Sequence, residues 1–450
     1  MSKMTTKTNN DHDMLAIAQS CIAMAKSAGA ADAAARAYRV RDVSLDFRDG
    51  KVERISESTT RGVGLNIYVD GRYSSVSTSD LRPDALKTFI ADSIALAKAI
   101  QPDPFRALPD AELYKGQASV DLQLEDPKYL DVTADDGRNA AKAMYDAVRA
   151  AKGAEAILSA TASFSSNLVE NWMMTSNGFS GANRGTSFFV SAQVSAKDND
   201  GRRPEEYDYA GSRFWTSVPD PARIGASAAQ RTLARLGSKK GETSAMTVVV
   251  ENRAAGRIVG MLAGPLSAGA LQQKRSFLEG KLGQQIVSPL MSITDDPLVP
   301  RAFGSRKFDG EGLAAKPRVV LADGVLQSYY IDTYYGRKLK MAPTSGSPSN
   351  LSWKLGTKSQ QELLADAKDA LLITGFIGGN SNPGTGDFSV GVVGFRVRNG
   401  AIAEPVAEMN LSGNHLEFWK KLVALGNDPF PYSSLRTPTL VFENVSVAGT

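Results

Sequence analysis

The sequence predicts an α+β protein, with mixed α/β N-terminal units built on antiparallel sheets and a β-rich C-terminal domain. Apolar residues alternate on either side of Asp-Gly and Asn-Gly pairs, which is the pattern of hairpins. Between those hairpins the apolar period returns to about 3.6, and after residue 242 strand-like runs dominate. At 450 residues the chain exceeds what one hydrophobic core usually organises, so two or three folding units are expected. An apolar share of 42% against 22% charged residues excludes a disordered or fibrous chain.

Residues 1–12 are polar and read as a disordered tail, and no apolar run reaches the length of a signal peptide core or a membrane helix, so a cytoplasmic address is expected. Met14, Ala18, Ile22 and Ala25 then recur at helical spacing until Gly29. Val43, Leu45 and Phe47 alternate into Asp49-Gly50, and Val63, Leu65, Ile67 and Val69 into Asp70-Gly71, which makes an antiparallel meander. Leu86, Ile90, Ile94 and Ala97 mark a helix, and Pro102, Pro104 and Pro109 close a first unit, 13–110.

A second unit, 111–237, opens with a helix over about 133–152 carrying Ala141, Met144, Val148 and Ala151. Strands around 157–164 and 169–175 follow, with Asn177-Gly178 as a turn and Asp198-Asn199-Asp200-Gly201 as a polar tip. Asp220-Pro221 begins a helix that Gly237 stops. The stretch Gly-Ser-Lys-Lys-Gly, 237–241, reads as a linker. In the third unit, 242–450, the strand Met246 to Val250 runs straight into a helix with Ala255, Ile258, Val259 and Leu262 inward. Ser359 with Glu362 and Asn414 with Glu417 are capping-box patterns, and Asn399-Gly400 is a hairpin.

Chemistry is constrained most by scarcity. The chain has two histidines, His12 and His415, and one cysteine, Cys21, placed in a tail, a cap and an apolar helix, so a His/Cys zinc site is not expected. Cys21 reads as a buried, inert thiol. The carboxylate pairs Asp295-Asp296 and Glu205-Glu206 lack the spacing of a calcium loop and read as solvated turns. A Ser-His-Asp hydrolase would have His415 as its only plausible base and lacks a Gly-x-Ser-x-Gly elbow. Tyr329, Tyr330, Tyr334 and Tyr335 read as packing in a strand rather than the lining of a cleft. Seven glycines between Gly378 and Gly400 match neither a dinucleotide fingerprint nor a Walker loop, so they read as bends in strands, with a peptide laid on that edge as the functional alternative. The net charge of +4 is mild and spread along the chain, which weakly supports polyanion binding at most.

Several segments in consistent order over nearly the whole chain are similar to the TldD/PmbA family, also known as modulators of DNA gyrase. They include Arg61-Gly62-Val63-Gly64, Phe308-Asp309-Gly310-Glu311-Gly312, Tyr334-Tyr335-Gly336-Arg337, Gly386-Asp387-Phe388-Ser389, Ser412-Gly413-Asn414 and Gly426-Asn427-Asp428. The resemblance implies a C-terminal domain of the TldD/PmbA type. In the family's catalytic branch, a His-Glu-x-x-x-His helix after the third unit's first strand and a late cysteine hold zinc. Here that place reads Asn252-Arg253-Ala254-Ala255-Gly256-Arg257, and residues 429–436 contain no cysteine. The chain therefore resembles the PmbA (TldE) branch, a subunit with no metal site and no catalytic residue of its own. What the resemblance implies is a heterodimer with a TldD-type metallopeptidase subunit that carries the zinc and trims unfolded peptides, this chain forming part of the chamber. The alternative is a module that binds gyrase or nucleic acid without peptidase chemistry.

Overall fold

The computed structural model describes residues 6–449, with side chains from residue 14. Helix α1 (Thr6–Ser27) is followed by β1 (Asp32–Arg48), β2 (Lys51–Val69), β3 (Arg72–Thr78) and α2 (Pro83–Ala99). Then come α3 (Ala134–Arg149), β4 (Ile157–Thr175), β5 (Ser180–Ala196), β6 (Glu205–Ser212) and α4 (Pro221–Leu233). The predicted turns form where expected: Asp49 and Gly50, and likewise Asp70 and Gly71, take the positive φ that a two-residue hairpin needs. The expected tail is different. Residues 1–5 lie outside the described residues, whereas 6–12 continue α1, because a polar stretch can extend a helix already anchored by Met14, Ala18 and Cys21.

The six strands form a single antiparallel sheet in the order β3-β2-β1-β4-β5-β6. Alternate residues of β1 serve two cores on one face. Ala33, Ala35 and Ala37 pack under α1 and α2, while Leu45 and Phe47 pack under α3 and α4. Between the cores, Glu170 is 1% exposed and is ion-paired to Arg39 and, at 2.8 Å, to Arg184, which also holds Glu125. A carboxylate removed from water needs such partners.

The C-terminal part begins with β7 (Ser244–Val250), α5 (Asn252–Gly260) and α6 (Ala268–Gln272). A small sheet follows, with β8 (Ile293–Asp295), β9 (Arg318–Ala322), β10 (Val325–Leu326), α7 (Thr333–Leu339) and β11 (Leu351–Trp353). The chain ends with α8 (Gln360–Ala367), β12 (Ala370–Ser381), β13 (Asp387–Arg398), β14 (Ala401–Asn414), α9 (His415–Phe418), β15 (Leu422–Leu425) and β16 (Leu440–Ala448). Strand order is β14-β13-β12-β7-β16-β15, and β14 also pairs with β16, so five of these strands close on themselves. Period-2 alternation divides β7: Val248 and Val250 join the main core with Ile258, Leu371 and Phe442, and Val249 packs against Leu363 and Leu364 of α8. The glycine-rich stretch is indeed strand. Gly378 and Gly379 adopt positive φ at a bulge in β12, and a Cβ on Gly394 would stand 1.8 Å from the carbonyl oxygen of Leu372.

Arginines tie the N-terminal sheet to the C-terminal part through backbone carbonyls. Arg36 donates to Gly310 O at 2.7 Å, Arg213 to Phe303 O at 2.8 Å, and Arg337 of α7 to Phe105 O and Ala107 O at 3.1 and 2.9 Å. Tyr334 and Tyr335 sit on α7 rather than on a strand, and Tyr334 stacks under the Arg106 guanidinium, 3.5 Å away, while bonding Asp103. The cluster is packing: Tyr329 and Tyr330 are buried in irregular chain, and Tyr334 and Tyr335 follow on the helical turn that Asp332 caps. The expected capping box at Asn414 is only half formed: Asn414 accepts from Leu416 N, and Glu417 pairs with Lys420.

Gly225 lets α4 lie against α3, since a Cβ there would stand 2.1 Å from the carbonyl oxygen of Met144. Gly225→Ala should therefore destabilise the protein by about 1–3 kcal/mol through overpacking, read as a lower urea midpoint at unchanged slope. An unchanged midpoint would show that the two helices separate freely.

Candidate functional site

Strand β7 leads into α5 at the centre of the C-terminal sheet, and the residues singled out in the sequence, Asn252, Arg253 and Arg257, all lie on that helix. Glu251 precedes it but does not cap it. Its carboxylate takes both Nη atoms of Arg231 on α4, at 2.8 and 2.7 Å. Burial works against the Arg231 charge, and the Glu251 bond outweighs it, so Arg231 is held protonated more firmly than usual.

Asn252 is fully committed locally. Its Oδ1 accepts from Arg253 N at 2.6 Å, its Nδ2 donates to Asp428 O at 2.7 Å, and its own carbonyl accepts from Thr437 Oγ1 at 2.7 Å. Arg253 points away from its helix toward β6, the edge strand of the N-terminal sheet. Its side chain is 7% exposed, donates to Asp208 Oδ1 at 2.9 Å and to Tyr207 O at 2.5 Å, lies 3.6 Å from Glu206 Oε2 and stacks 4.3 Å above the Tyr207 ring. Glu206 also accepts from Arg235 at 3.0 Å. Arg257 lies one helical turn beyond Arg253, is exposed, and has no polar partner among the described residues.

Glu206, Tyr207, Arg235, Arg253 and Arg257 border a cleft of about 520 Å³ between β6, α5 and β12, also lined by Phe430, Ser433 and Leu435. On the side facing β7, β12 loses its neighbour after Ile373, because β7 ends at Val250 and turns into α5. Tyr209, on the cleft wall, has its phenol pushed up by burial.

The residues at 252–257 do not fit zinc. Two guanidinium groups offer no lone pair to a cation, and the Asn252 carboxamide is a neutral oxygen donor already bonded to Arg253 N, not the imidazole or thiolate that zinc selects. Among the described residues no group of three or more His, Cys, Asp or Glu side chains is arranged to hold a metal. Cys21 belongs to the α1/α2 core, with its thiol pushed up to about 11 by burial, and His415 to the C-terminal core, while the side chain of His12 lies outside the described residues.

His415 is completely buried. Its ring is stacked between Phe388 and Phe277, with centroids 4.6 and 5.6 Å away. Its Nδ1 lies 3.2 Å from Trp419 Nε1 and its Nε2 3.0 Å from Ser381 Oγ. Indole N–H can only donate, so Nδ1 is the acceptor and Nε2 carries the proton, donating to Ser381. A histidine in that tautomer cannot take a proton from Ser381, and burial lowers its pKa to about 4.

Two carboxylate pairs depart from the solvated turns expected of them. Asp295 is fully buried on β8, where it accepts from Ser349 N at 2.8 Å and faces Arg318. Glu206 is buried on β6, while its neighbour Glu205 is exposed. Strand alternation turns one member of each pair inward, toward an arginine distant in sequence. Sequence reasoning missed Glu206, Asp208 and Tyr207 as partners of Arg253. The available signal was the i, i+2 spacing of Glu206 and Asp208, which puts both carboxylates on one face of a strand.

Three family descriptions match the chain: PmbA/TldA metallopeptidase domain 1 over residues 33–97, the central domain over 127–236 and the C-terminal domain over 243–449. The Escherichia coli O157:H7 metalloprotease PmbA is 29% identical over 95% of this chain and 94% of its own length. A crystal structure of a Bacteroides thetaiotaomicron protein, described as a modulator of DNA gyrase, is 36% identical and superposes with a TM-score of 0.94 over 98% of this chain and all of that one. TldE from Thermococcus kodakarensis superposes at 0.83 over 96% of this chain and all of that one, and at 18% identity shows the shared fold alone.

Replacing Arg253 with Met strands Asp208 and weakens the compensation of Glu206, and about 3 kcal/mol of stability should be lost in urea unfolding at pH 7. Near neutrality in the variant would show that these carboxylates are solvated. For His415, the folded pKa of about 4 lies below the ordinary 6.5, so only the unfolded chain gains a proton in between. Its contribution to stability is complete above pH 6.5 and is lost as the pH falls toward 4, amounting to roughly 3 kcal/mol. Unfolding midpoints at pH 7 and pH 4.5 should diverge less in His415→Gln than in the wild type, and an equal divergence would refute the assignment.

Proposed function

We propose, on the premise that this chain belongs to the PmbA/TldD metallopeptidase family, that it is the non-catalytic subunit of a TldD/TldE-type peptidase. It would line a chamber in which a TldD-type partner supplies the zinc and unfolded peptides are trimmed. One observation carries this reading: Asn252 and Arg257 occupy the helix positions where imidazoles would have to meet a metal, and Arg253 the position of the general base. Two unit charges of the same sign 4 Å apart repel by about 4 kcal/mol at an effective dielectric of 20, and zinc carries two charges. Arginine does not escape by losing its proton.

Support also comes from how Arg253 is held. Its charge is matched by Glu206 and Asp208 of another domain's strand, so the cation is built into the fold and is not a surface accident. The exposed end of β12 above the cleft offers unpaired backbone groups, and an extended peptide can be held there with little demand on its sequence. The competing reading, a binder of gyrase or nucleic acid, draws on the Bacteroides relative's description and the net charge of +4. It predicts a steep salt dependence of DNA affinity.

The test is elemental analysis of the purified chain, alone and after mixing with a TldD-type subunit, alongside hydrolysis of a denatured peptide. Expected are no stoichiometric zinc and no hydrolysis for the chain alone, and a stable complex that cleaves. Zinc bound at 252–257, cleavage by the isolated chain or failure to form a complex would each overturn the assignment.

A further inference from the structure

We infer that the cleft beside α5 is a carboxylate-binding subsite for peptides, with Arg257 as its receiving cation. The inference rests on the peptide-handling role proposed above. The preference for an anion comes from the cleft itself.

Three guanidinium groups reach this cleft, and two are already occupied. Arg235 is paired with Glu206, and Arg253 lies between Glu206 and Asp208, so together these four side chains are electrically balanced. Arg257 is left over. It borders the same cleft, is exposed, and has no hydrogen bond or ion pair among the described residues. On the same cleft, Ser433 Oγ accepts from Leu435 N at 3.1 Å, which leaves the hydroxyl proton free to donate. A planar carboxylate matches the two-pronged donor geometry of an arginine better than any other common peptide group does.

The remaining walls suit the chain that carries the carboxylate. Phe376 and Ile377 of β12 and Phe430 line the cleft, and Ile377 remains 58% exposed. The volume, about 520 Å³, falls within the roughly 300–1,000 Å³ of small-ligand sites. Glu205 also lines the cleft, but its carboxylate accepts from Gln193 of β5 and makes no ion pair with Arg257, so the guanidinium stands beside Phe376, Ile377 and Phe430 without a carboxylate of its own. The arginine that repels a dication thus draws the opposite charge. A peptide supplies that charge either from its C-terminus or from an Asp or Glu side chain.

The experiment uses the full chain without a partner and three fluorescein-labelled, unstructured octapeptides of Ala, Ser and Gly. One carries a free C-terminal carboxylate, one a C-terminal amide, and the third is amidated with a single central Glu. Fluorescence anisotropy should give an affinity about tenfold higher for the free acid than for the plain amide. That preference should vanish in Arg257→Gln and survive in part in Arg257→Lys. Equal gain from the central Glu would support the subsite and show that it takes a terminal or a side-chain carboxylate alike, whereas gain from the free acid alone assigns it to the terminus. No binding, or equal affinities for all three peptides, or a preference unmoved by Arg257→Gln, would overturn the inference. Circular dichroism of Arg257→Gln keeps misfolding from passing as a result, and an exposed residue with no partner should leave the fold intact. Because the readout needs neither zinc nor a partner, failure of complex formation and failure of this subsite are told apart.

Discussion

A guanidinium buried against two carboxylates holds the two halves of this protein at the angle that makes its cleft. Arg253 belongs to the C-terminal sheet's helix α5, and its acceptors, Glu206 and Asp208, belong to the edge strand of the N-terminal sheet. With 7% of the side chain exposed, neither sign of charge is stable there without the other. The same bond satisfies a backbone carbonyl on β6, a strand whose outer edge would otherwise be open. Edge protection and domain registration are therefore one interaction.

The rest of the domain contact follows the same design. Arg36, Arg213 and Arg337 each cross from one half to the other and end on carbonyl oxygens rather than on carboxylates. A fork of fixed donors can serve two adjacent acceptors, which loops supply in abundance. Arg106 is handled differently, lying between Tyr73 and Tyr334, one ring from each half. Much of the arginine in this chain is thus structural, which explains why a net positive charge does not appear as a basic stripe. Arg257, like Arg54, Arg61 and Arg203, has no side-chain partner among the described residues, and of these it is the one that lines the cleft beside α5.

The second constraint is the end of β7. Parallel pairing with β12 lasts for only four residues, 370–373 against 247–250, before Glu251 turns the chain into α5. Beyond Ile373, β12 pairs only with β13 and carries a bulge at Gly378 and Gly379 that interrupts the register. Bulges beside a site commonly re-aim adjacent residues, and Ile377, immediately before this one, is left largely exposed.

Period and punctuation alone determined much of this protein. Asp49-Gly50, Asp70-Gly71 and Asn399-Gly400 set three hairpins, Asp220-Pro221 and Ser359 with Glu362 set two helix starts, and alternation separated Val249 from Val248 and Val250. Those features depend on neighbours a few residues apart, so local sequence carries them. The absence of imidazole and carboxylate at 252–257 was equally legible, because a side chain's chemistry needs no fold to be known. What only the tertiary structure decided is where the charges went. Glu206 and Asp295 look like members of solvated pairs until strands turn them inward onto Arg253, Arg235 and Arg318, and His415 looks like a potential base until Trp419 selects its tautomer. The energy of a charge or a proton depends on burial and on partners that lie tens or hundreds of residues away in the chain, and that information does not exist until the chain has folded.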